Sequence, residues 1–551
     1  MHSSSNLFAQ DLTHWPRYLL VILAAIAALP LISRSANSPA PSGAAPATAV
    51  LTFHNDDART GQNLNETILT PGNVNSARFG KLFTIAIDGK VDAQPLYLPN
   101  VNTPAHGTHN ILYVASEHGT VYGLDADNGS VLWQVSTLLP GEKPSDDRRC
   151  SQVTPEIGVT ATPVIDPSVG AHGTIYVVAM SKDSSKNYHQ RLHALDVATG
   201  AEQFGGPKEI QAAFPGKGDN SSGGKVIFDP KQYEERAGLL LIDGVLYTAW
   251  TSHCDHRPYT GWLIAYDQKT LAQVSVLNVT PNGSEGAIWM SGAGPAADSS
   301  GNIYLLDANG DFDTQLDARG FPSRGDFGNA FLKISTGNKQ LAVADYFEAF
   351  NQASENRADE DLGSGGALVL PSLVDSAGKT RHLAVGAGKD KNIYVVDRDA
   401  MGGFNAQSNN IYQQVSGALS GSVFSMPAYF NNTLYYGAVG DQIKAFAISQ
   451  ARLATAPSSR TSHNFPYPGA TPSISAHGTT NAILWAAESG DLAVLHAYDA
   501  TNLATELYNS SRAPNSRDVF GESNKFIVPT VVNGKVYVGT INGVGVFGLL
   551  K

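Results

Sequence analysis

The sequence predicts an all-β fold, an eight-bladed β-propeller made of four-stranded antiparallel blades. The stretch LYVASEHGTVYGLDADNGSVLWQVS, residues 112–136, contains three alternating β-rich segments separated by tight turns. The same order of strands and turns recurs to the end of the chain at intervals of about 40 to 60 residues, which is typical of propellers. The chain also contains 54 glycines and 42% hydrophobic residues, a composition that favours a turn-rich folded protein.

Eight units with this order of segments follow one another. They contain, in turn, VDAQPLYL with ILYVAS and VYGLDA; VTATPVID with TIYVVAM, RLHALDVATG and EQFGG; GLLLI with GVLYTAWTS and WLIAYDQKTL; NIYLLDANGDFD with NAFLKIS; GGALVLPSL with RHLAVGAG and NIYVVDR; MPAYF with TLYYGAV and IKAFAIS; TPSISAH with AILWAAE and AVLHAYD; and IVPTVV with KVYVGT and VGVFGLL.

The last unit supplies three strands, whereas FGKLFTIAI, residues 79–87, stands alone before the first unit. We expect this N-terminal strand to complete and close the last blade, because its pairing removes exposed sheet edges. Residues 51–551 are therefore predicted to form a single propeller.

The N-terminus has the pattern of an export signal. Arg17 precedes an apolar run from Tyr18 to Leu29, which is shorter than the ~20 residues that span a bilayer. We interpret residues 1–34 as a signal peptide or an N-terminal anchor and residues 35–50 as a Pro/Ala/Ser-rich linker. The expected location is the periplasm or the extracellular space, with membrane attachment only through such an anchor.

The net charge bears on nucleic-acid binding, and the cysteine content bears on disulfide formation. The formal net charge is −12 and no basic cluster stands out, which argues against a nucleic-acid partner. The two cysteines, Cys150 and Cys254, are predicted to lie on one face in neighbouring units. In an oxidising compartment they could form a disulfide or remain free.

One repeated motif resembles a known family. In YGLDADNGSVLW, Gly123, Asp125, Gly129 and Trp133 match the tryptophan-docking repeat of pyrroloquinoline quinone (PQQ) quinoproteins, and the second unit carries Phe204 in place of the tryptophan. The aspartate caps a turn, a glycine takes a left-handed conformation and the aromatic ring packs between sheets. The same repeat occurs in non-enzymatic envelope propellers, so it indicates architecture and leaves function open.

We letter the four strands of a unit A to D in order. Long polar segments are concentrated in units two to five, either between strands B and C or between one unit and the next. They are SKDSSKNYHQ, SHCDHRPYTG, NGDFDTQLDARGFPSRGDFG and NQASENRADEDLGSGG. In a propeller these connections share one face, so we predict a binding surface there. The histidines and cysteine of SHCDHRP match no zinc-ligand spacing, and we interpret this stretch as a polar loop.

The resemblance to quinoprotein alcohol dehydrogenases implies specific site residues on that face. GAIWMSGAGPAAD is similar to the segment whose tryptophan lies under the quinone, here Trp289. RADEDLGSGG is similar to the segment with the catalytic aspartate, which leaves Asp359 and Asp361 as candidates. GAGKDKNIYVVDR is similar to the segment whose basic residue contacts the quinone carbonyls, here Lys389.

The resemblance also implies PQQ and Ca²⁺ as cofactors. YLLDANGDFD is similar to the segment whose asparagine binds the calcium, here Asn309. Independently of the family, Asp307, Asn309, Asp311 and Asp313 alternate as an oxygen-rich run suited to calcium, so Asn309 and Asp311 are the predicted metal ligands.

Two functions remain open at this point. One is a PQQ- and Ca²⁺-dependent oxidoreductase acting on the CH–OH group of an alcohol or sugar. The alternative is a cofactor-free scaffold that binds a protein or glycan of the cell envelope. The four segments that resemble the quinoprotein site favour the enzyme. The resemblance also implies a glutamate ligand of the calcium in the second unit, and the lack of a clear counterpart in this sequence favours the scaffold. No C-x-x-C-H motif occurs, so no attached haem is expected.

Overall fold

A computed structural model describes residues 48–551, whose architecture is mostly β and consistent with a β-propeller. Residues 1–47, with the predicted signal peptide or anchor and most of the predicted linker, lie outside the described residues. Within residues 48–551, no helix is both long and apolar enough to cross a membrane.

Eight antiparallel sheets, named sheets 1 to 8 in chain order, each contain four main strands, A to D, in these described residues. The strands are Leu96–Thr103, Gly107–Ala115, Thr120–Asp125 and Val131–Ser136 in sheet 1; Val164–Asp166, Thr174–Lys182, Tyr188–Asp196 and Lys208–Glu209 in sheet 2; Leu240–Ile242, Val245–Ser252, Trp262–Asp267 and Gln273–Asn278 in sheet 3; Ala296–Ala297, Ile303–Leu306, Phe331–Ser335 and Ala342–Glu348 in sheet 4; Leu368–Val369, Leu383–Ala387, Ile393–Asp397 and Gln413–Val415 in sheet 5; Ala428–Phe430, Thr433–Gly437, Asp441–Ser449 and Ser459–Phe465 in sheet 6; Ser473–His477, Thr480–Glu488, Val494–Asp499 and Glu506–Asn509 in sheet 7; and Thr530–Val532, Lys535–Gly539, Gly543–Leu549 and Phe79–Ala86 in sheet 8.

Shorter elements decorate these sheets. The additional strands are Gln62–Asn63, Lys143–Asp146, Glu156–Ile157, Ala213–Pro215, Ser221–Ser222, Lys225–Ile227, Tyr233–Glu234, Leu373–Val374, Thr380–Arg381, Gly403–Phe404 and Arg452–Leu453; the α-helix is Gln352–Ala358; and the 3-10 turns are Met290–Gly292, Gly337–Lys339, Leu362–Ser364, Ser510–Arg512 and Pro514–Ser516.

The strand that precedes the first unit pairs with the last strand of the chain. Phe79 lies opposite Leu549 and Ala86 lies opposite Gly543, so the N-terminal strand is strand D of sheet 8. In sheet 2, by contrast, strand D is Lys208–Glu209 and the expected EQFGG segment turns instead, with Phe204 at a φ of 55° and Glu202 in a single bridge to Leu195.

The repeat motif joins neighbouring sheets. Trp133 of sheet 1 donates its indole N–H to the carbonyl of Val197, which follows the repeat aspartate of sheet 2. Strand B tyrosines donate to the equivalent carbonyl of the next sheet four times, in the pairs Tyr113–Val197, Tyr176–Gln268, Tyr435–Ala500 and Tyr537–Ala126. The last pair joins sheet 8 to sheet 1. Each bond satisfies a buried hydroxyl while the ring fills the space between two sheets.

One short stretch, residues 50–63, contacts the strand A region of every sheet, and we name it the inner segment. From its beginning to its end, the inner segment forms hydrogen bonds with one residue at strand A of each sheet, in the order of sheets 1 to 8. These residues are Tyr97, Ile165, Leu239, Ala297, Val369, Tyr429, Ile474 and Val531. The strand A regions of all eight sheets therefore lie beside one short stretch of chain.

Arg59 anchors the inner segment. It is fully buried and donates hydrogen bonds to the carbonyls of Phe53, Leu239 and Pro295 and to the hydroxyl of Thr52. Burial lowers the pKa of Arg59 to about 10, so the guanidinium stays charged at neutral pH. Its several donors allow one side chain to bind carbonyls on three separate parts of the chain.

Candidate functional site

A cavity of about 240 Å³ is lined by connections of the predicted kind, those leading into strand A and those between strands B and C. Four of the predicted site residues line it: Trp289, Asp359, Asp361 and Lys389. Trp289 precedes sheet 4, the two aspartates precede sheet 5, and Lys389 lies in the B–C turn of sheet 5.

Lys389 and Asp361 form a buried ion pair in this wall. The ammonium nitrogen lies 2.6 Å from Oδ2 of Asp361, and the Asp361 carboxylate is almost fully buried. The backbone fixes the pair, because the N–H of Lys389 also donates to the carbonyl of Asp361 at 2.8 Å. Gly388 permits this approach: a Cβ at that position would lie 2.3 Å from the same carbonyl oxygen.

The second oxygen of Asp361, Oδ1, is buried and has no hydrogen-bond partner. Burial raises the pKa of Asp361 to about 6, although the charge of Lys389 acts against this rise. Burial acts to lower the pKa of Lys389, but the charges of Asp361 and Asp359 raise it overall. The carboxyl can therefore hold or release a proton near neutral pH while the lysine stays charged.

Asn309 and Asp359 extend this pair. Asp359 ends the helix Gln352–Ala358 in a left-handed conformation, and its Oδ1 lies 2.5 Å from the nitrogen of Lys389. Asn309 donates to the same Oδ1 at 2.7 Å, while its own Oδ1 is buried and unpartnered. The structure thus brings together four residues from three separate stretches of the sequence.

The rest of the predicted oxygen-rich run does not converge on one point. Asp311 accepts hydrogen bonds from the N–H and hydroxyl of Ser284, Asp313 accepts from Ser323, and Asp307 accepts from the N–H of Ala330. Asp311 is also not among the residues that line the cavity. Alternation along an irregular loop does not place side chains on one side, as it would in a strand.

Aromatic rings form the opposite part of the wall. Trp289 is half-buried, and the rings of Phe424 and Phe526 meet it edge-on, with centroid distances of 5.8 and 5.5 Å. Tyr467 continues the wall beside Phe424 at 5.4 Å and is 41% exposed. These rings come from the connections into sheets 4, 6, 7 and 8, so Trp289 faces the cavity and not only its own sheet.

Sequence reasoning missed the charged residues before sheet 3. Glu234 and Arg236 line the cavity, and both are buried. Arg236 lies over the ring of Phe526 at 4.9 Å, and its guanidinium lies 3.4 Å from Asp92. The signal was present, because QYEERAGLLLI places these charges directly before strand A, as GAIWMSGAG does with Trp289.

A disulfide between Cys150 and Cys254 completes the wall, with a Cα–Cα distance of 5.5 Å. It ties the connection into sheet 2 to the B–C turn of sheet 3. Cys254 is therefore not available as a metal ligand, in agreement with the interpretation of SHCDHRP as a polar loop.

Comparison with protein-family models gives no match for this sequence. Comparison with curated protein sequences gives no match either. Solved structures do match. A quinohemoprotein alcohol dehydrogenase from Comamonas testosteroni has a TM-score of 0.60 at 13% identity, over 91% of this chain and 80% of that chain.

Two further structures agree. A quinohemoprotein alcohol dehydrogenase from Pseudomonas putida HK5 has a TM-score of 0.56 at 13% identity, over 91% of this chain and 80% of that one. A europium-containing methanol dehydrogenase also has a TM-score of 0.56, at 12% identity, over 91% of this chain and 98% of that one. The described residues are therefore similar in fold to the quinohemoprotein alcohol dehydrogenases, as the tryptophan-docking repeat predicts.

Proposed function

We propose that the chain is a PQQ- and Ca²⁺-dependent oxidoreductase that oxidises a small alcohol or sugar in this cavity. The observation that carries the proposal is the buried ion pair of Asp361 and Lys389. One carboxylate oxygen of Asp361 has no hydrogen-bond partner, and Asp361 lines the same cavity as Trp289. A proton acceptor, a fixed cation and a flat aromatic ring are the groups that quinone-dependent alcohol oxidation requires.

Residues in the cavity wall and directly behind it fit the two cofactors. Trp289 would lie against the flat ring system, and Lys389 and Arg236 would bind its anionic oxygens. Asn309 does not line the cavity itself but donates to Asp359 in its wall, and the unpartnered oxygen of Asn309 would be available to Ca²⁺, which prefers oxygen ligands. Bound PQQ would supply the acceptor for the two electrons released from the substrate C–H bond.

The residues of the chain would handle the proton. Asp361 would accept the hydroxyl proton of the substrate at Oδ1, since Oδ2 is held by Lys389. Lys389 keeps part of the Asp361 population ionised at neutral pH against the effect of burial. We assign the base to Asp361 over Asp359, because the Asp359 side chain is 67% exposed and its Oδ1 already contacts both Lys389 and Asn309.

We also propose that sheets 1 to 8 are the eight blades of one closed ring. This proposal is supported by the hydrogen bond from the hydroxyl of Tyr537 in sheet 8 to the carbonyl of Ala126 in sheet 1. It is also supported by the inner segment, which contacts sheets 1 to 8 in their order along the chain. A closed ring would leave only short, protected sheet edges and would set the cavity near the centre of the ring.

We propose an exported location, periplasmic or extracellular. The disulfide between Cys150 and Cys254 supports it, because such bonds persist mainly in oxidising compartments. The apolar run after Arg17 supports it independently.

The test is a titration of the purified protein with PQQ, with and without Ca²⁺, followed by tryptophan fluorescence. Saturable, calcium-dependent quenching that Lys389→Met weakens and Lys391→Met leaves unchanged would support the proposal; Lys391 is an exposed lysine of the same turn. No binding at high micromolar PQQ would overturn the cofactor assignment and favour the alternative, a scaffold that presents this face to an envelope protein or glycan.

A further inference from the structure

Two histidines and a glutamate meet between sheets 6 and 7, and none of them is among the residues that line the cavity. His463 lies on strand D of sheet 6, whereas Glu488 ends strand B of sheet 7 and His496 lies on its strand C. One potential ligand atom from each residue lies within 4.8 Å of the other two. Local sequence patterns do not indicate this group, because His463 belongs to a different unit from Glu488 and His496.

The three atoms converge in the manner of metal ligands. Oε2 of Glu488 lies 3.0 Å from Nε2 of His463 and 2.8 Å from Nε2 of His496. Ligand atoms around a tetrahedral Zn²⁺ lie about 3.3 Å apart, given metal–ligand bonds of about 2.0–2.1 Å. Nε2 of His463 is buried and makes no hydrogen bond despite its short distance to Glu488, because it is not aligned for one. A cation bound by all three residues would give Nε2 of His463 the partner that it lacks.

The other nitrogen of His496 is held by a second carboxylate. Its Nδ1 lies 3.2 Å from Oε1 of Glu506, and the amide of Asn509 lies beside both groups. A histidine that donates from Nδ1 to a carboxylate presents the lone pair of Nε2, which is the usual arrangement behind a metal-bound imidazole. Nε2 of His496 also lies within hydrogen-bond distance of Oε2 of Glu488, at 2.8 Å, so a cation would replace the proton that these two atoms can share.

The two imidazole rings stack, with centroids 5.0 Å apart and planes 24° apart. Two stacked imidazolium ions would repel each other, whereas metal binding requires both rings to be neutral. The site is also open on one side. The His496 side chain is 1% exposed, but those of Glu488 and His463 are 19% and 33% exposed, which leaves room for a water as fourth ligand.

From this geometry we propose that His463, Glu488 and His496 bind one Zn²⁺ ion that links sheet 6 to sheet 7 and keeps one coordination position open. Two imidazole nitrogens and one carboxylate oxygen suit Zn²⁺ better than Ca²⁺ or Mg²⁺, which prefer oxygen ligands only. The site is independent of the proposed PQQ chemistry and does not require it.

The experiment uses the full purified chain, freed of metal with a chelator and titrated with Co²⁺ and then with competing Zn²⁺. One equivalent of Co²⁺ should bind with the strong visible absorption of a tetrahedral site, which an oxygen-only calcium site does not produce, and Zn²⁺ should displace it. Zn²⁺ should also raise the thermal midpoint of unfolding, since it binds the folded state.

The variants test the ligands one by one. His463→Ala, at a partly exposed position, and Glu488→Gln, which keeps its size, should each weaken binding by at least about tenfold to a hundredfold, the range seen for loss of even an indirect ligand contact. His477→Ala is the matched control, because His477 is an exposed histidine of the same sheet 7. Failure of the wild-type chain to bind one equivalent, or equal binding by wild type and both ligand variants, would overturn the proposal.

Discussion

The ammonium nitrogen of Lys389 lies 2.6 Å from Oδ2 of Asp361, and the other carboxylate oxygen of Asp361 is left without a partner. The turn that carries Lys389 is tied to Asp361 through the backbone as well, so the pair has one geometry. This relationship sets both the charge balance of the cavity and the position of its only proposed proton acceptor.

Replacing Asp361 with asparagine should abolish alcohol oxidation while the fold is kept. Removal of a general base reduces turnover by about 10²–10⁴-fold. The measurement is turnover of the PQQ-loaded protein with an artificial electron acceptor and a panel of small alcohols and sugars. Glu360→Gln, at an exposed neighbouring position, is the control and should keep wild-type turnover. Equal turnover in both variants would remove Asp361 from the mechanism.

Activity should depend on pH through the same carboxyl. Burial raises the pKa of Asp361 to about 6, so the group is protonated and inactive as a base below that value and ionised above it. Turnover should therefore rise as the pH increases through about 6. A profile that is flat from pH 5 to 8 would contradict this assignment.

Lys389→Met should destabilise the protein more at pH 8 than at pH 5. Lys389 lowers the pKa of Asp361, so its loss lets burial raise that pKa further. A carboxyl with a raised pKa stays neutral at low pH and costs stability as the pH rises through that pKa. We expect a loss of about 2–3 kcal/mol in the free energy of unfolding at pH 8, within the effect of breaking a buried pair. Denaturant unfolding at both pH values measures it, and Lys391→Met should change little at either.

Reduction of the disulfide should lower stability by about 2–4 kcal/mol, since the Cys150–Cys254 bond closes a long loop. The two cysteines are the only ones in the chain, so a reducing agent acts on no other bond. Thermal unfolding with and without the reductant gives the difference. In Cys150→Ser the reductant should have no effect, and an equal shift in that variant would mean that it acts elsewhere.

Arg59→Ala should be among the most destabilising substitutions. It leaves three carbonyls of the inner segment, sheet 3 and sheet 4 without their donor, so we expect a loss of at least about 3 kcal/mol. Arg319→Ala is the control, because the Arg319 side chain is 78% exposed and its contacts, an ion pair with Asp317 and a ring contact with Phe321, are local. Its cost should be below about 1 kcal/mol. Denaturant unfolding of the two variants compares them directly, and similar losses would show that Arg59 does not anchor the inner segment.

Much of the candidate site followed from local sequence context. Trp289, Asp361 and Lys389 were predicted because their segments resemble those of quinoprotein alcohol dehydrogenases, and the structure places all three in the wall of one cavity. Glu234 was overlooked although it holds the same position before strand A. Asp311 was selected by alternation, which has no directional meaning in a loop where Ser284 takes the carboxylate.

The sequence by itself determined most of the strands, their order and the packing role of residues such as Trp133, but not strand D of sheet 2. Strand alternation and turn chemistry are local properties, and a repeat multiplies the same local signal. Only the tertiary structure decided that Cys150 meets Cys254 and that His463 meets His496. Those contacts join different units, and their geometry depends on how neighbouring sheets are rotated against each other, which no local pattern records.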